Sequence, residues 1–279
     1  MVRAWLKHDD RSLIINESYE SLTRGAHLIT EAIAGGRFRQ GMGEDSANAS
    51  EMVELLLQAG ASPDVQLLMH AIGARNVEAG LLLVAHGVDV KEPYGLHTPL
   101  HYASRMGEPR AMPRQEELIR ALLDAGAPVD ARTTSAPPRT GVTPLMSAAN
   151  CGYTSPRVLK LLLKYGADVD AVDAEGRTAE AHARAALNYP TIPSALVEDV
   201  RYRGPGVVEG SLALFRDYRA AGGTWKRYAN EPRKQLLVLR RLVERGRAAP
   251  PDGTLARVQG LPDVLFWKVL TFWRSDRDV

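Results

Sequence analysis

The sequence has a single cysteine, no long hydrophobic run and little net charge, and each shortage excludes a class of protein. Because Cys151 stands alone, neither an intrachain disulfide framework nor a multi-cysteine zinc cluster can form. No segment approaches the roughly 18 uncharged apolar residues that a membrane-spanning helix needs. The N-terminal residues carry charges where a signal peptide needs an apolar stretch. A lone cysteine suits a reducing compartment, so we expect a cytoplasmic or nuclear protein.

The net charge of +2 is an average over two unequal parts of the chain. Residues 1–199 carry 19 Lys and Arg against 25 Asp and Glu, which is −6, and residues 200–279 carry 16 against 8, which is +8. This asymmetry predicts two structural units. The basic tail could pack on the acidic body or contact an anionic partner, and we do not expect that partner to be nucleic acid.

One short segment recurs along the body of the chain. Leucines at spacings of three and four predict a short amphipathic helix, and a glycine such as Gly126 or Gly166 follows it where positive φ is usual. Two copies are preceded by Thr98-Pro99-Leu100-His101 and by Thr143-Pro144-Leu145-Met146, in which Thr caps a helix and Pro fits its first turn. The copies of the leucine segment are Met52–Val65, Ala79–Val90, Leu118–Ala131, Val158–Ala171 and, more weakly, Leu212–Gly223.

These residues resemble the ankyrin repeat, whose signature joins a Thr-Pro-Leu-His start to a Leu-Leu-x-x-Gly-Ala finish. The resemblance implies an all-α solenoid of about five helix-turn-helix repeats with β-turn fingers, over residues 26–230. Residues 1–25 would then form an N-terminal capping segment. Insertions lie near residues 39–49, 107–115, 132–141 and 187–210, and they either enlarge the binding surface or are neutral loop growth.

The resemblance also implies the function, because ankyrin arrays bind proteins through their finger tips and the concave face of their first helices. The chain is therefore expected to be a protein-binding scaffold or adaptor, monomeric by itself. The expected contact positions are Glu31, His70, Tyr94, His97, Tyr102, Arg105, Met106, Arg132, Arg139, Ser147, Asn150, Glu175, Arg177 and His182.

No pattern in the sequence indicates catalysis. His97 and His101 have a metal-ligand spacing, but no third ligand is close in sequence, and His101 belongs to the Thr-Pro-Leu-His element. Cys151 has no histidine marked as its base. The sequence therefore predicts a protein that is not an enzyme and that carries no metal or cofactor.

The tail over residues 231–279 is predicted to be a separate helical unit. A first helix over 233–246 carries an apolar stripe, and a second helix over 264–273 is apolar nearly all round, so that it must be buried on several sides. If this second helix caps the solenoid, Trp267→Ala should cost about 3–5 kcal/mol, as large core truncations do.

The same tail resembles the SOCS box, which follows ankyrin repeats in one family of ubiquitin-ligase substrate receptors. The resemblance implies that the first helix binds elongin C and that Leu261-Pro262 helps choose the cullin. Arg240 departs from it, since the family has a buried cysteine there and an unpaired buried charge costs several kcal/mol. A solenoid cap, a cullin-ligase adaptor and another partner site all remain open. The expected docking residues are Leu236, Leu239, Val243, Leu261, Pro262, Leu265, Trp267 and Trp273.

Overall fold

The computed structural model describes residues 50–58 apart from positions 52 and 56, and residues 63–105, 112–134, 140–151, 156–186, 205–247 and 261–272. Helices and turns make up these ranges, and no strand is present within them. The all-α prediction is therefore confirmed. The chain divides into two compact units, which we call the repeat unit (Met1–Leu212) and the C-terminal unit (Ala213–Val279).

Short helices follow one another in pairs along the repeat unit, and residues 50–58 are helical wherever they are described. The first members of the pairs pack side by side in the order α1, α3, α5, α7, and the second members α2, α4 and α6 form a parallel row. Helix α8 crosses the division between the two units. The helices are α1 (Val65–Gly73), α2 (Val77–Ala85), α3 (Pro99–Ser104), α4 (Met112–Asp124), α5 (Pro144–Asn150), α6 (Pro156–Lys164), α7 (Ala179–Ala186) and α8 (Pro205–Ala220).

Side chains that precede the helices set where they begin, and glycines set where they end. Asp64 accepts the Leu67 N–H at 2.7 Å, and Thr143 accepts the Met146 N–H at 3.3 Å. Each bond satisfies an amide that has no partner within its own helix. Gly126 follows α4 with φ +89°, a conformation that costs a residue with a Cβ more than it costs glycine.

The leucine segments form the core between the two helix rows. Leu118 and Leu122 of α4, like Leu159 and Leu162 of α6, have no exposed surface. Gly80 of α2 lies directly against Leu118, so that a Cβ at this position would come within 3.2 Å of the leucine methyl group. Close packing between neighbouring repeats therefore depends on small residues as well as on the leucines.

Among its described residues, the C-terminal unit contains the end of α8 and two further helices, α9 (Trp225–Glu244) and α10 (Asp263–Phe272). Helix α9 begins eight residues before the helix predicted over 233–246 and runs through Pro232. Its first turns are held by buried Tyr228, whose ring lies 5.8 Å from that of Tyr218 and 5.5 Å from that of Trp225. Helix α9 therefore continues through Pro232 although proline cannot donate the helical hydrogen bond.

Candidate functional site

A tight turn displays two apolar side chains at the tip of the finger that precedes α3. The Tyr94 N–H donates to the His97 carbonyl at 3.0 Å, and Gly95 occupies the turn with φ +64°. This closure leaves 41 % of Tyr94 and 47 % of Leu96 exposed. Large apolar side chains at such a tip do not contribute to the core and are available to a partner.

Helix α3 adds a third exposed ring beside this turn. Tyr102 is 39 % exposed, and its ring lies 5.2 Å from that of His97 in an edge-to-face arrangement. The His70 ring of α1 lies 6.5 Å from the Tyr94 ring. We call Tyr94, Leu96, His97 and Tyr102 the finger patch. The structure thus brings together predicted contact residues from one finger and from two first helices.

His101 lies beneath the finger patch and is fully buried. Its Nδ1 accepts the Thr98 backbone N–H at 3.2 Å and lies 2.8 Å from the Thr98 hydroxyl, and its Nε2 donates to the Val142 carbonyl at 2.9 Å. Burial lowers the pKa of His101 to about 4, despite the bond to Val142. Because both ring nitrogens are engaged within the protein, neither is free to bind a metal ion.

Two exposed arginines lie on the segments that adjoin the finger patch. Arg105 directly follows α3, three residues after Tyr102, and its carbonyl accepts the Cys151 thiol at 3.3 Å. The Nη1 group of Arg132 donates to the carbonyls of Gly141 and Val172 at 3.3 and 2.6 Å. Arg132 therefore joins its own finger to the following one.

The finger before α7 is held by a buried carboxylate rather than by a buried histidine. Asp173 accepts the backbone N–H groups of Glu175 and Arg177, the Arg177 guanidinium and the His182 ring, each at 2.9 Å. Burial raises the pKa of Asp173, but these hydrogen bonds outweigh it and hold that pKa below its usual value. Glu175, at the exposed tip, pairs with Arg177 at 2.9 Å.

The structure corrects two of the predicted contact positions. Ser147 and His182 were expected to face a partner, but each retains only 6 % of its surface. His182 turns inward because Asp173 binds its Nε2, and Ser147 lies within an α5 that is packed by helices on both sides. His70 and Asn150 are half-buried. The predicted contacts at Glu31, Met106 and Arg139 lie outside the described residues.

Two exposed residues that the sequence did not single out are Leu96 and Val172, which lie on different fingers. Val172 is 43 % exposed, and its carbonyl accepts the Arg132 guanidinium. The available signal was an apolar residue within a finger, where the chain is otherwise rich in polar residues and glycine. Because leucine and valine are common in this chain, the sequence alone does not distinguish an exposed one from a core one.

In the C-terminal unit, α10 packs on α9 through one buried pair. Leu236 and Phe266 form a small core against which Leu261 packs. Trp267, by contrast, is 56 % exposed, so it is not the aromatic residue that anchors α10. Leu239 and Val243 are half-buried, whereas Pro262 and Leu265 are exposed. The predicted docking residue Trp273 lies outside the described residues.

Arg240 is the polar centre of this packing and is paired within the chain. Its guanidinium carbon lies 4.0 Å from the centre of the Phe266 ring, and its Nη2 donates to the Leu261 carbonyl at 2.9 Å and to Asp263 at 2.7 Å. Nε pairs with Glu244 at 3.0 Å. Within the described residues, α10 and Glu244 thus pair the charge of Arg240, although its buried Nη1 has no hydrogen-bond partner, and the mismatch with the cysteine of the SOCS box stays a prediction about elongin binding.

Comparison with known families identifies the repeats. Residues 45–133 match the family model for ankyrin repeats (3 copies), and residues 140–174 match the model for a single ankyrin repeat. The chain therefore carries ankyrin repeats over these two ranges, and such repeats form protein-interaction scaffolds. No helix among the described residues is both long enough and apolar enough to cross a membrane.

Proposed function

We propose that this chain is a binding scaffold that recognises a protein partner through its finger tips and the face formed by the first helices. The observation that carries the proposal is the finger patch. Its Tyr94, Leu96 and Tyr102 side chains are each about two-fifths exposed or more, on a framework whose core leucines, such as Leu100, Leu118 and Leu122, have no exposed surface. Exposed aromatic residues on a rigid support are typical anchors of protein interfaces.

The support beneath the patch favours this function because successive fingers are joined by backbone hydrogen bonds. The Thr134 N–H donates to the Leu96 carbonyl at 3.4 Å, and the Ala174 N–H donates to the Thr140 carbonyl at 3.0 Å. A surface that is already ordered loses little conformational entropy when a partner binds. We accordingly propose that recognition needs no refolding of the fingers. We also propose that the array extends over residues 26–230.

We further propose that the chain acts without catalysis of its own. The two nitrogens of buried His101 are both engaged, and the Cys151 thiol donates to a backbone carbonyl. Within the described residues, no group of three His, Cys, Asp or Glu side chains could hold a metal ion. These arrangements support a structural role for His101 and Cys151.

The test is site-specific photo-crosslinking in cells. A photoreactive phenylalanine analogue replaces Tyr102 in one variant and Arg120 in a matched control, since Arg120 is exposed on α4 in the row of second helices. We expect a discrete crosslinked protein from position 102 only, and we expect it to disappear when Tyr94 and Leu96 are changed to alanine. Equal products from both positions would refute recognition through the finger patch.

A second candidate function places the chain in a cullin-type ubiquitin ligase as its substrate-recognition subunit. The observation that favours it is the outward face of α10, on which Val264, Leu265 and Trp267 are 80, 49 and 56 % exposed. Leu236, one of the expected elongin contacts, is instead buried against Phe266. Affinity purification of the full chain and of a Leu265→Asp variant tests this role. Absence of elongin and cullin from both samples would exclude it.

A further inference from the structure

One face of α9 carries a line of basic side chains. Five exposed residues lie on it at spacings of seven, four, three and four positions: Arg227, Lys234, Val238, Arg241 and Arg245, the last being the C-cap of the helix. Side chains at such spacings share one face of a helix. We call these five residues the basic stripe, which is about 27 Å long at a rise of about 1.5 Å per residue.

The neighbouring helices of the C-terminal unit pack on other faces of α9. Leu236 packs against Phe266 of α10, and the Arg240 guanidinium lies over the same ring at 4.0 Å. Near the start of α9, the Tyr228 ring lies against the Tyr218 ring of α8. Because a helix turns by about 100° per residue, Leu236 and Arg240 point to the side opposite the stripe. Among the described residues, the stripe is therefore an outward face of this unit.

The charge of the C-terminal unit is positive however its side chains pair. Residues 213–279 contain 14 Lys and Arg and 7 Asp and Glu, which is +7. Within the stripe, Lys234 pairs with Glu231 at 3.4 Å. The other described carboxylates of the unit form ion pairs with residues outside the stripe: Asp217 with Arg216, and Glu244 and Asp263 with Arg240. Since basic residues outnumber acidic ones two to one, these pairs leave a net positive charge.

The composition of the stripe limits the kind of partner that it fits. Its four charged residues are all basic, and none of its five residues is aromatic. Single-stranded nucleic acids are bound by basic grooves that also offer rings on which bases stack. Partners that take an amphipathic helix into a groove contact its apolar face, but Leu236 on that face of α9 is buried against Phe266. An outward line of positive charge instead matches a surface that is densely negative.

We propose that the basic stripe binds the surface of a membrane that contains anionic lipids. The four basic side chains contact the negatively charged headgroups, and Val238 lies among them at the same depth. Each Lys or Arg near such a surface adds a similar contribution, so the attraction sums along the stripe. Helix α9 stays packed on α10 and does not enter the hydrocarbon core. This surface shares no residue with the finger patch, so it adds a membrane contact to the proposed protein-binding function.

Sedimentation of the purified full chain with sucrose-loaded vesicles tests the proposal. One set of vesicles is phosphatidylcholine alone, and the other is two parts phosphatidylcholine to one part phosphatidylserine. Arg241→Ala with Arg245→Ala removes two charges from the stripe, whereas Arg241→Lys with Arg245→Lys keeps them. Arg216→Ala with Lys268→Ala is the matched control, because it removes two exposed charges from α8 and α10. Circular dichroism confirms that each variant is folded.

Binding should depend on the anionic lipid and on the charge of the stripe. We expect the wild type to sediment with the phosphatidylserine vesicles and not with phosphatidylcholine alone, and to bind more weakly as salt screens the charges. Each charge near the surface contributes about fivefold, so the double alanine variant should bind about 25-fold more weakly. The double lysine variant and the matched control should each change binding by less than about threefold, because the one keeps the charge and the other lies off the stripe.

Four results would overturn the proposal. They are no binding to either kind of vesicle, equal binding to both, equal losses in the double alanine variant and the matched control, and an equal loss in the double lysine variant. A duplex oligonucleotide that binds more tightly than the vesicles, with the same response to the variants, would assign the stripe to nucleic acid instead. Crosslinking at position 102 does not depend on these outcomes, so the proposed function and this proposal can fail separately.

Discussion

Acidification is expected to destabilise the repeat unit through one residue, the buried His101. The unfolded chain binds a proton on this ring near pH 6.5, whereas the folded protein does so only near pH 4. Folded molecules therefore bind fewer protons than unfolded ones between these values. The stability that depends on neutral His101 is complete above pH 6.5 and is lost progressively as pH falls to 4.

The magnitude follows from the pKa difference and from the contacts of the ring. At about 1.4 kcal/mol for each unit of pKa, the loss between pH 6.5 and 4 is about 3 kcal/mol. The physical cause is burial, because a site with no exposed surface disfavours the charged ring. In addition, a protonated Nδ1 can no longer accept the Thr98 N–H.

The chain itself supplies the control substitution, His101→Met. Met146 occupies the equivalent position one repeat later, where its sulfur accepts the Thr143 N–H at 3.4 Å. Methionine at position 101 loses the bond to Val142, whose carbonyl still accepts the Thr133 N–H at 3.0 Å. We therefore expect His101→Met to cost only about 1 kcal/mol at pH 7.5.

The assay is urea denaturation of both proteins, followed by far-ultraviolet circular dichroism at pH values from 7.5 to 4. The other titrating groups are common to both proteins, so the difference between them isolates His101. Wild type should be the more stable at pH 7.5, and His101→Met should be the more stable at pH 4. Parallel stability curves over this range would refute the low pKa and the linkage drawn from it.

The remaining predictions concern packing and buried charge. Phe266→Ala should cost about 3 kcal/mol of stability in the C-terminal unit. Trp267→Ala should cost under about 1 kcal/mol, because Trp267 is mostly exposed. Equal hydrogen exchange of residues 263–272 in the two full-length variants would contradict this difference. Arg240→Ala should accelerate that exchange about tenfold, since it removes the stacked guanidinium and its bonds, and unchanged exchange would show that Arg240 does not hold α10. Asp173→Asn should cost about 2 kcal/mol at pH 7; because the pKa of Asp173 is held low, the difference should shrink below pH 3.8, and a constant difference down to pH 2.5 would count against the buried carboxylate.

Much of the repeat unit could be predicted because its determinants are local. The leucine spacing and the terminal Gly126 specify a short helix and its end, and Thr98-Pro99 specifies the start of another. The exposed position of Tyr102 was expected from the ankyrin resemblance, because Tyr102 directly follows His101 of the Thr-Pro-Leu-His element. Each of these predictions uses residues within one or two helical turns of each other. The regular backbone of a helix fixes the relative positions of such residues.

The exposure of individual contact residues could not be predicted in the same way. His182 occupies the position that corresponds to Tyr102, yet it is buried because Asp173, nine residues earlier, binds its ring. Alignment of the repeats treats the two positions as equivalent, but the hydrogen bond to Asp173 turns the His182 side chain inward. The direction of a side chain depends on which polar partner the finger offers.

The sequence by itself determined the solenoid class, the positions of the repeat helices and the division of charge between body and tail, because helix periodicity, caps and composition depend on neighbouring residues. Only the tertiary structure decided which groups pair with Arg240, since Leu261 and Asp263 lie more than twenty positions away in the sequence. It also decided that Phe266 and not Trp267 anchors α10. Long-range pairing selects one partner among many that are chemically equivalent, and that choice depends on distances that exist only after the chain has folded.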